Sequence, residues 1–362
     1  MELVRIVEGN TKFYVPDPEK YKLDSNMPVF FNSVMKLNRD ITIEIIKNSF
    51  NKPKVLDLLA GTGAKGLRIA NEIQGSRVDL NDGNPTAVKL IKKNAKLNKL
   101  DVDVFSDSAN KLLKNSRRTY DFIDIDPFGT PNPFVEDSIK RLRMNGIVGI
   151  TATDTSALVG TYPSACMKKY DAKNIKTKFM FEIGSRILIK KIVEFGIKHG
   201  ITLEPIFTHS SNHYIRIYLK RVSKTLPTIK KRVRPIFYCR NCINFKISEF
   251  FTNSKKRCAC GEYFEQLGPM WIGRLWDNKL VQKIEGNKTI ELIKGESKLN
   301  VFGYFDYHSI AKNIKNKGDL PKMKILIEKI KKKGYIATRT HFSPTGIRSN
   351  IPPRTFLKLL TK

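Results

Sequence analysis

Between residues 54 and 219 short apolar runs alternate with stretches of helical period. Lys54-Val55-Leu56-Asp57-Leu58-Leu59 is apolar on both faces, which predicts a buried parallel strand. Ala60 to Gly63 predicts a tight loop, and Ala64 to Ile73 a helix. Arg77 to Leu80 predicts a second strand. Asn84-Pro85 then reads as an N-cap followed by proline at the first helical position, with a helix from Thr86 to about Asn98. A third strand is expected at Val102–Phe105, a fourth over residues 120–125 and a fifth at Ile147–Thr151. A helix over 181–199 and strands near 201–208 and 213–219 complete the alternation. Strands interleaved with helices predict a doubly wound α/β sheet.

The flanks are less regular. Residues 1–50 are mixed, with the short apolar segment Val29-Phe30-Phe31-Asn32. Either Asn38 or Asp40 is expected to cap a helix through Ile41–Ile46. Residues 220–235 are basic and hold Pro227 and Pro235, so the domain linker is expected there. A small cysteine-containing module and further α/β sequence follow. Lys322 to Ile330 predicts an amphipathic helix with a basic face. The chain has no internal repeat.

Length and composition narrow the class. At 362 residues and 41% hydrophobic, the chain is globular and long enough for two domains. No apolar run approaches the roughly 20 residues of a membrane span. The first residues lack the layout of a signal peptide, so an intracellular, cytoplasmic protein is expected. The net charge of +32 is uneven. Residues 220–362 hold 32 Lys and Arg against 10 Asp and Glu, whereas residues 1–219 hold 34 against 24. The C-terminal part is therefore the expected docking surface for a polyanion. The five cysteines are too few and too clustered for a secreted disulfide framework.

Candidate chemistry collects at the strand ends. Asp57-x-x-Ala60-Gly61-Thr62-Gly63 follows the first strand and opens a helix, where glycines let backbone N–H groups approach a ligand. Gly66 completes a G-x-G-x-x-G spacing, so a dinucleotide site has to be weighed. Asp82 ends the second strand about 20 residues after the loop, where an acid can hold a ribose diol; Asp79 lies earlier in the strand. Asp107 follows the third strand, where an acid can take an adenine amino group. These groups line the carboxyl edge of one sheet. Here the chain resembles the Rossmann-like S-adenosylmethionine-dependent methyltransferases. The resemblance implies that the glycine loop meets the methionine part of the cofactor and Asp82 its ribose, and that substrate chemistry follows the fourth strand.

That last place is held by Asp126-Pro127-Phe128-Gly129. An exocyclic amine conjugated with its ring is a poor nucleophile. A carboxylate accepting its N–H bonds orients the nitrogen and takes a proton as the methyl transfers. The proline fixes the backbone so that a carbonyl can also accept, and an aromatic ring can stack on the base. Asp-Pro-Phe-Gly at this place resembles the tRNA guanine-26 N2-dimethyltransferase family. The likeness extends to Phe30-Phe31-Asn32, Leu37-Asn38-Arg39-Asp40, Leu80-Asn81-Asp82, Phe181-Glu182-Ile183-Gly184-Ser185-Arg186 and Thr340-His341-Phe342-Ser343-Pro344-Thr345-Gly346, nearly the whole chain.

The resemblance implies two successive methylations of one guanine N2 in tRNA, and the target base must unstack to reach the pocket. By position, Asp126 would hold and deprotonate the amine, and Phe128 and Phe30 would sandwich the base. Arg39 would contact the cofactor through its carboxylate. Gly61, Gly63 and Lys65 of the glycine loop, Asp82, and Asp107, Ser108 and Ala109 would complete the cofactor site. Two departures stand out. The family loop usually reads Thr-Gly-Ile-Arg-Gly, and here it is Thr62-Gly63-Ala64-Lys65-Gly66, which keeps the charge but loses the bidentate fork. The family's Asp-Ala-Asn after the third strand reads Asp107-Ser108-Ala109-Asn110, so either Asp107 or Ser108 occupies the adenine position.

The expected architecture is thus an α/β, Rossmann-like methyltransferase domain over 1–222 and a smaller basic α+β domain over 223–362 that binds tRNA. Within it, a zinc-ribbon-like module spans 236–266. In that module Cys239-x2-Cys242-x15-Cys258-x-Cys260 offers two close thiolate pairs for structural zinc, against free or oxidised thiols as the alternative. Cys166 stands apart and reads as a buried apolar residue. The five histidines have no partners at metal spacing, and Trp271 and Trp276 read as core. The sequence points to no membrane and no obligate protein partner. The competing functions are an amino methyltransferase for another RNA or DNA base, a non-catalytic RNA-binding protein retaining the cofactor fold, and a dehydrogenase, for which nothing after the fourth strand provides a hydride-transfer site.

Overall fold

The computed structural model describes all residues except 25, 212, 253–254, 313–319 and 361–362. The chain opens with an antiparallel hairpin, β1 (Leu3–Glu8) and β2 (Thr11–Pro16), which the mixed N-terminal pattern did not announce. A short 3-10 turn at Ser33–Met35 runs into α1 (Lys36–Ser49). This helix starts earlier than its apolar run, so Asn38 and Asp40 lie inside it and cap nothing. Asn38 is buried, and its amide donates to Thr151 at 3.3 Å.

The α/β alternation follows the expected order. It runs β3 (Lys54–Asp57), α2 (Ala64–Glu72), β4 (Arg77–Asn81), α3 (Pro85–Leu97), β5 (Asp103–Phe105), α4 (Ala109–Asn115) and β6 (Tyr120–Ile125). Then come α5 (Asn132–Lys140), β7 (Leu142–Ala152), the short helices α6 (Thr155–Leu158) and α7 (Pro163–Tyr170), α8 (Met180–Lys198), β8 (Leu203–Ser210) and β9 (Ile215–Arg221). Asn84 caps α3 by accepting from the Thr86 N–H, with Pro85 at the first helical position. The strands form one seven-stranded sheet of order β5-β4-β3-β6-β7-β9-β8. The first five are parallel, and β9 is antiparallel to both of its neighbours. Strand order reverses between β3 and β6, and in such sheets ligands bind outside the carboxyl ends at that switch point.

The rest of the chain packs onto α8 through β12. After α9 (Leu226–Lys230), the strands β10 (Val233–Tyr238), β11 (Phe245–Ile247) and β12 (Glu265–Trp271) form a three-stranded sheet. The remaining elements are α10 (Asn278–Lys283), α11 (Lys288–Ser297), β13 (Phe305–Asp306), α12 (Tyr307–Ala311), α13 (Met323–Lys332), β14 (Ala337–Arg339), β15 (Gly346–Ser349) and α14 (Pro353–Lys358). The last three strands pair in the order β13-β15-β14. The main apolar core runs on past residue 222 through Ile236, Leu267, Met270 and Trp271, and a smaller one gathers Phe305, Leu326, Ile347 and Phe356. Trp271 and Trp276 are core residues, and Cys166 is fully buried.

A buried ion network joins these parts. The Arg348 guanidinium on β15 donates to Glu182 of α8 at 2.8 Å, to Glu296 of α11 at 3.0 Å, and to the carbonyls of Val301 and Gly303. Arg186, one turn along α8, donates to Glu182 and to the carbonyls of Trp271 and Gly273 at 2.9 Å each. Burial opposes the charge on Glu182, but Arg348 and Arg186 outweigh it and hold the carboxyl below its ordinary range. The Thr340 hydroxyl and the His341 N–H also donate to Glu296, so the Phe181–Arg186 and Thr340–Gly346 segments singled out in the sequence are parts of one structural clasp.

Candidate active site

At the switch point lies a cleft of about 410 Å³. One wall is the segment from Met27 to Asn32, which crosses the carboxyl ends of the strands. The Asn84 amide holds that segment by donating to the Pro28 carbonyl at 2.8 Å. The floor is the loop after β3. Gly61 there has φ +54°, and a Cβ on it would lie 2.9 Å from the Phe30 carbonyl oxygen. Only glycine lets the segment and the loop approach this closely. Gly66 has a different task. Its N–H donates to Asp57 at 2.9 Å, and a Cβ would strike Leu80, so it packs α2 onto the sheet rather than facing a ligand.

Asp82 stands at the end of β4. Its carboxylate accepts from the Gly61 N–H and the Asn84 N–H, both at 2.8 Å. Each oxygen keeps acceptor capacity toward the cleft. Burial raises its pKa, and the two backbone donors offset part of the rise. Asp79 faces elsewhere, taking Arg118 at 2.9 Å and the Tyr120 hydroxyl at 2.8 Å.

The Asp126 side chain, 21% exposed, lines the cleft. Its Oδ2 receives the Lys65 ammonium at 2.6 Å, and the same ammonium reaches Asp124 Oδ2 at 2.6 Å. Arg216 on β9 takes the other oxygen of Asp124 at 2.5 Å and donates to Thr151 at 3.0 Å. Lys65, Asp124 and Arg216 are all buried. Burial alone would neutralise Lys65, but the charges of Asp124 and Asp126 outweigh it and raise its pKa. Burial likewise pushes Asp126 up, and Lys65 and Arg216 reverse the sign, holding it ionised below the ordinary carboxylate value. At nearby Asp57, burial and the charge of Asp124 outweigh the pull of Lys65 and push the pKa up to about 7.

Phe30 and Phe128 meet at the mouth, with ring centroids 4.4 Å apart and planes at 73°. Phe128 is 57% exposed. A base stacked between two rings needs about 7 Å between them, twice a van der Waals spacing. The expected sandwich is therefore closed here, ring edge on ring face, and the rings must part to admit a base.

The cleft thus brings together Phe30, Arg39, Gly61, Lys65, Asp82, Asp126 and Phe128. Arg39 does not reach out as a free cation. Its guanidinium grips Glu8 at 2.7 and 2.5 Å and the Asn32 carbonyl at 3.1 Å, fastening the hairpin and the cleft wall together. Lys65 is likewise committed to carboxylates. Gly63 (φ +79°) packs on Leu67 and Ile91 as the residue before α2 and is not part of the lining. Asp107, Ser108 and Ala109 also lie outside the lining, at the start of α4, and Asp107 pairs with Lys111 at 2.7 Å. Sequence reasoning overlooked Glu8, Asp124 and Arg216. The signal for the last two was present, since an acid inside Phe122-Ile123-Asp124-Ile125 and an arginine inside Ile215-Arg216-Ile217 can be buried only as partners.

In the C-terminal part, Cys239, Cys242, Cys258 and Cys260 place their sulfurs within 4.8 Å of one another. Cys239 and Cys260 are 3.5 Å apart, and Cys242 and Cys258 3.4 Å, without disulfides.

Residues 9–361 match the model of the family described as N2,N2-dimethylguanosine tRNA methyltransferase. The chain belongs to this family. The match spans both the cleft and the cysteine cluster, so it covers the whole architecture rather than the cofactor fold alone. The tRNA (guanine(26)-N(2))-dimethyltransferase of Methanosphaera stadtmanae is 36% identical over 370 residues, covering 96% of this chain and 94% of that relative. The tRNA (guanine(26)-N(2)/guanine(27)-N(2))-dimethyltransferase of Aquifex aeolicus is 33% identical over 375 residues, covering 97% and 93%. Among solved structures, that of Trm1 from Pyrococcus horikoshii with S-adenosyl-L-methionine superposes with a TM-score of 0.87 at 29% identity, covering 99% of this chain and 100% of that one. As a member, the chain is an S-adenosylmethionine-dependent tRNA guanine N2-dimethyltransferase, as its sequence resemblance implied. No helix among the described residues is long and apolar enough to cross a membrane.

Proposed function

We propose that the switch-point cleft binds S-adenosylmethionine beside Gly61 and Asp82, and that Asp126 works on the N2 amine of guanine 26 of tRNA, presented twice. The observation that carries this reading is a carboxylate, partly open to the cleft, held at the end of β6 by a buried ammonium at 2.6 Å. The cleft volume falls within the range of ligand pockets. The cofactor supplies a methyl group already activated on a sulfonium.

The protein's own task is positioning and proton removal. With Oδ2 tied to Lys65, Asp126 is fixed in direction and accepts an N2–H bond. The amine turns strongly acidic as its nitrogen gains the methyl, so a carboxylate of low basicity suffices to take the proton. The remaining N–H then rotates to the same carboxylate for the second transfer. Phe30 and Phe128 part to stack the base, a contact worth about 1–3 kcal/mol. Gly129 stays anchored meanwhile, its N–H donating to Thr153 Oγ1 at 2.6 Å, so the movement falls on the Phe128 side chain.

Residues 1–222 would carry this chemistry and the basic residues 223–362 would hold the tRNA. Mass spectrometry of nucleosides from tRNA incubated with protein and S-adenosylmethionine tests the reading. N2,N2-dimethylguanosine is expected, and it should disappear from a transcript with adenosine at position 26. Monomethylguanosine as the only product at every enzyme concentration would refute double transfer.

The cysteine cluster would hold structural zinc. Sulfurs at about 2.3 Å from a tetrahedral ion are about 3.8 Å apart, close to the spacing seen here. The Gly261 N–H donates to the Cys258 carbonyl at 2.9 Å, and the Cys258 N–H to the Glu262 carbonyl at 2.7 Å, folding the second pair into a tight turn. Four thiolates leave no open position for catalysis. One zinc per chain is expected by elemental analysis, and stripping it should lower thermal stability and expose residues 236–266 to protease. A zinc content far below one per chain would count against this assignment.

A further inference from the structure

Beside the cysteine cluster lies a second groove, of about 480 Å³, lined by Phe237, Lys246, Phe250, Phe251 and Lys256 with Glu249 at its edge. Phe250 is 75% exposed and Phe251 48%. A scattered exposed phenyl needs no explanation, but adjacent ones on a fastened backbone do. The Ser248 N–H donates to the Pro235 carbonyl at 2.9 Å, and the Ser248 hydroxyl to the Phe250 carbonyl at 2.8 Å. On the other side the Gln266 amide clamps residue 252, accepting its N–H at 2.8 Å and donating to its carbonyl. The segment carrying both rings is thus tied at each end to the β10–β12 sheet.

The surroundings are cationic. The Lys256 ammonium stands 4.9 Å from the Phe237 ring centroid, and Lys246 is 6.0 Å from that of Phe264. Next to them Arg257 covers Tyr263 at 4.7 Å, and Tyr263 is itself 49% exposed. Aromatic faces interleaved with cations on a preordered backbone are how proteins hold unstacked nucleotides. A purely apolar protein partner would not call for the cations.

We propose that this groove takes one unstacked nucleotide of the bound tRNA, separate from the base being methylated. The base lies on Phe250 and Phe251, Lys246 and Lys256 meet its phosphates, and Glu249 accepts from the base edge. This deepens the tRNA-methylating reading and rests on it. The groove belongs to recognition and takes no part in methyl transfer.

The test compares wild type, F250A/F251A and F250Y/F251Y by methylation kinetics and by tRNA filter binding. For F250A/F251A, KM and Kd for tRNA are expected to rise roughly tenfold or more, the scale of one lost base–aromatic stack. Its kcat and unfolding temperature should match wild type, and F250Y/F251Y should restore binding. Unchanged KM and Kd in F250A/F251A, alongside an active wild type, would overturn this proposal alone. A wild type that neither binds nor methylates tRNA would remove the functional reading as well. Sedimentation showing a wild-type dimer that F250A/F251A dissolves would overturn the proposal in favour of a contact between two copies.

Discussion

Replacing Asp126 with alanine is expected to cut kcat by about 10²–10⁴-fold, the usual contribution of a positioned general base. Affinity for tRNA should change little. The residue lies inside the cleft, whereas most of the excess positive charge lies in residues 220–362. The loss has two sources. The amine loses the acceptor that orients it, and its departing proton loses a destination. D126N separates them, since an amide oxygen still accepts a hydrogen bond but is far too weak a base. It should therefore recover part of the orientation and little of the rate. Single-turnover transfer of radiolabelled methyl from S-adenosylmethionine, set beside tRNA filter binding, makes the measurement. Transfer at the wild-type rate in D126A would sink the mechanism.

Lys65→Met should have the next largest effect, on stability and activity together. It leaves Asp124 fully buried with Arg216 as its remaining cation and frees Asp126 from its anchor. Breaking a buried pair this way costs about 3–5 kcal/mol. The pH profile separates positioning from general destabilisation. Asp126 is held below the ordinary carboxylate value, so its ionised form persists above that depressed pKa and is lost only as pH falls through it. Removing the ammonium raises the pKa, and the acid limb of kcat should move to higher pH. K65R keeps the charge and should keep the wild-type limb. An unmoved limb in folded K65M would show that Lys65 does not govern Asp126.

The Lys65 network also accounts for the departure noticed in the glycine loop. A bidentate fork suits a planar partner such as a carboxylate. The position here instead meets two carboxylates, Asp124 inside β6 and Asp126 just past its end, at 2.6 Å each. A compact ammonium donating in two directions fulfils that. In this chain the position holds the proposed catalytic carboxylate, and in the proposed function the cofactor falls to Gly61 and Asp82.

Much of the fold was legible because local pattern and burial agree. Strands buried on both faces read as continuous apolar runs, and β3 to β7 came out in the expected order. The N-terminal hairpin was missed because the burial of its residues is irregular, with Val7 63% exposed. The start of α1 was misplaced because Asn38 and Asp40 have the chemistry of caps, yet other partners hold them within the helix: Thr151 for Asn38, and Arg68 together with Lys36 one turn earlier in the helix for Asp40.

The chain by itself determined the succession of strands and helices, the place of Asp126-Pro127-Phe128-Gly129 after the fourth strand, and the four clustered cysteines. These depend on residue type and spacing, which are local. Only the tertiary structure decided where the charges point. Glu8 turns Arg39 into a brace, Asp124 and Arg216 turn Lys65 into an anchor for Asp126, and Phe30 and Phe128 close on each other. Those pairings span from 31 to 98 positions of sequence, and a charge leaving water accepts whichever opposite charge the fold brings within reach.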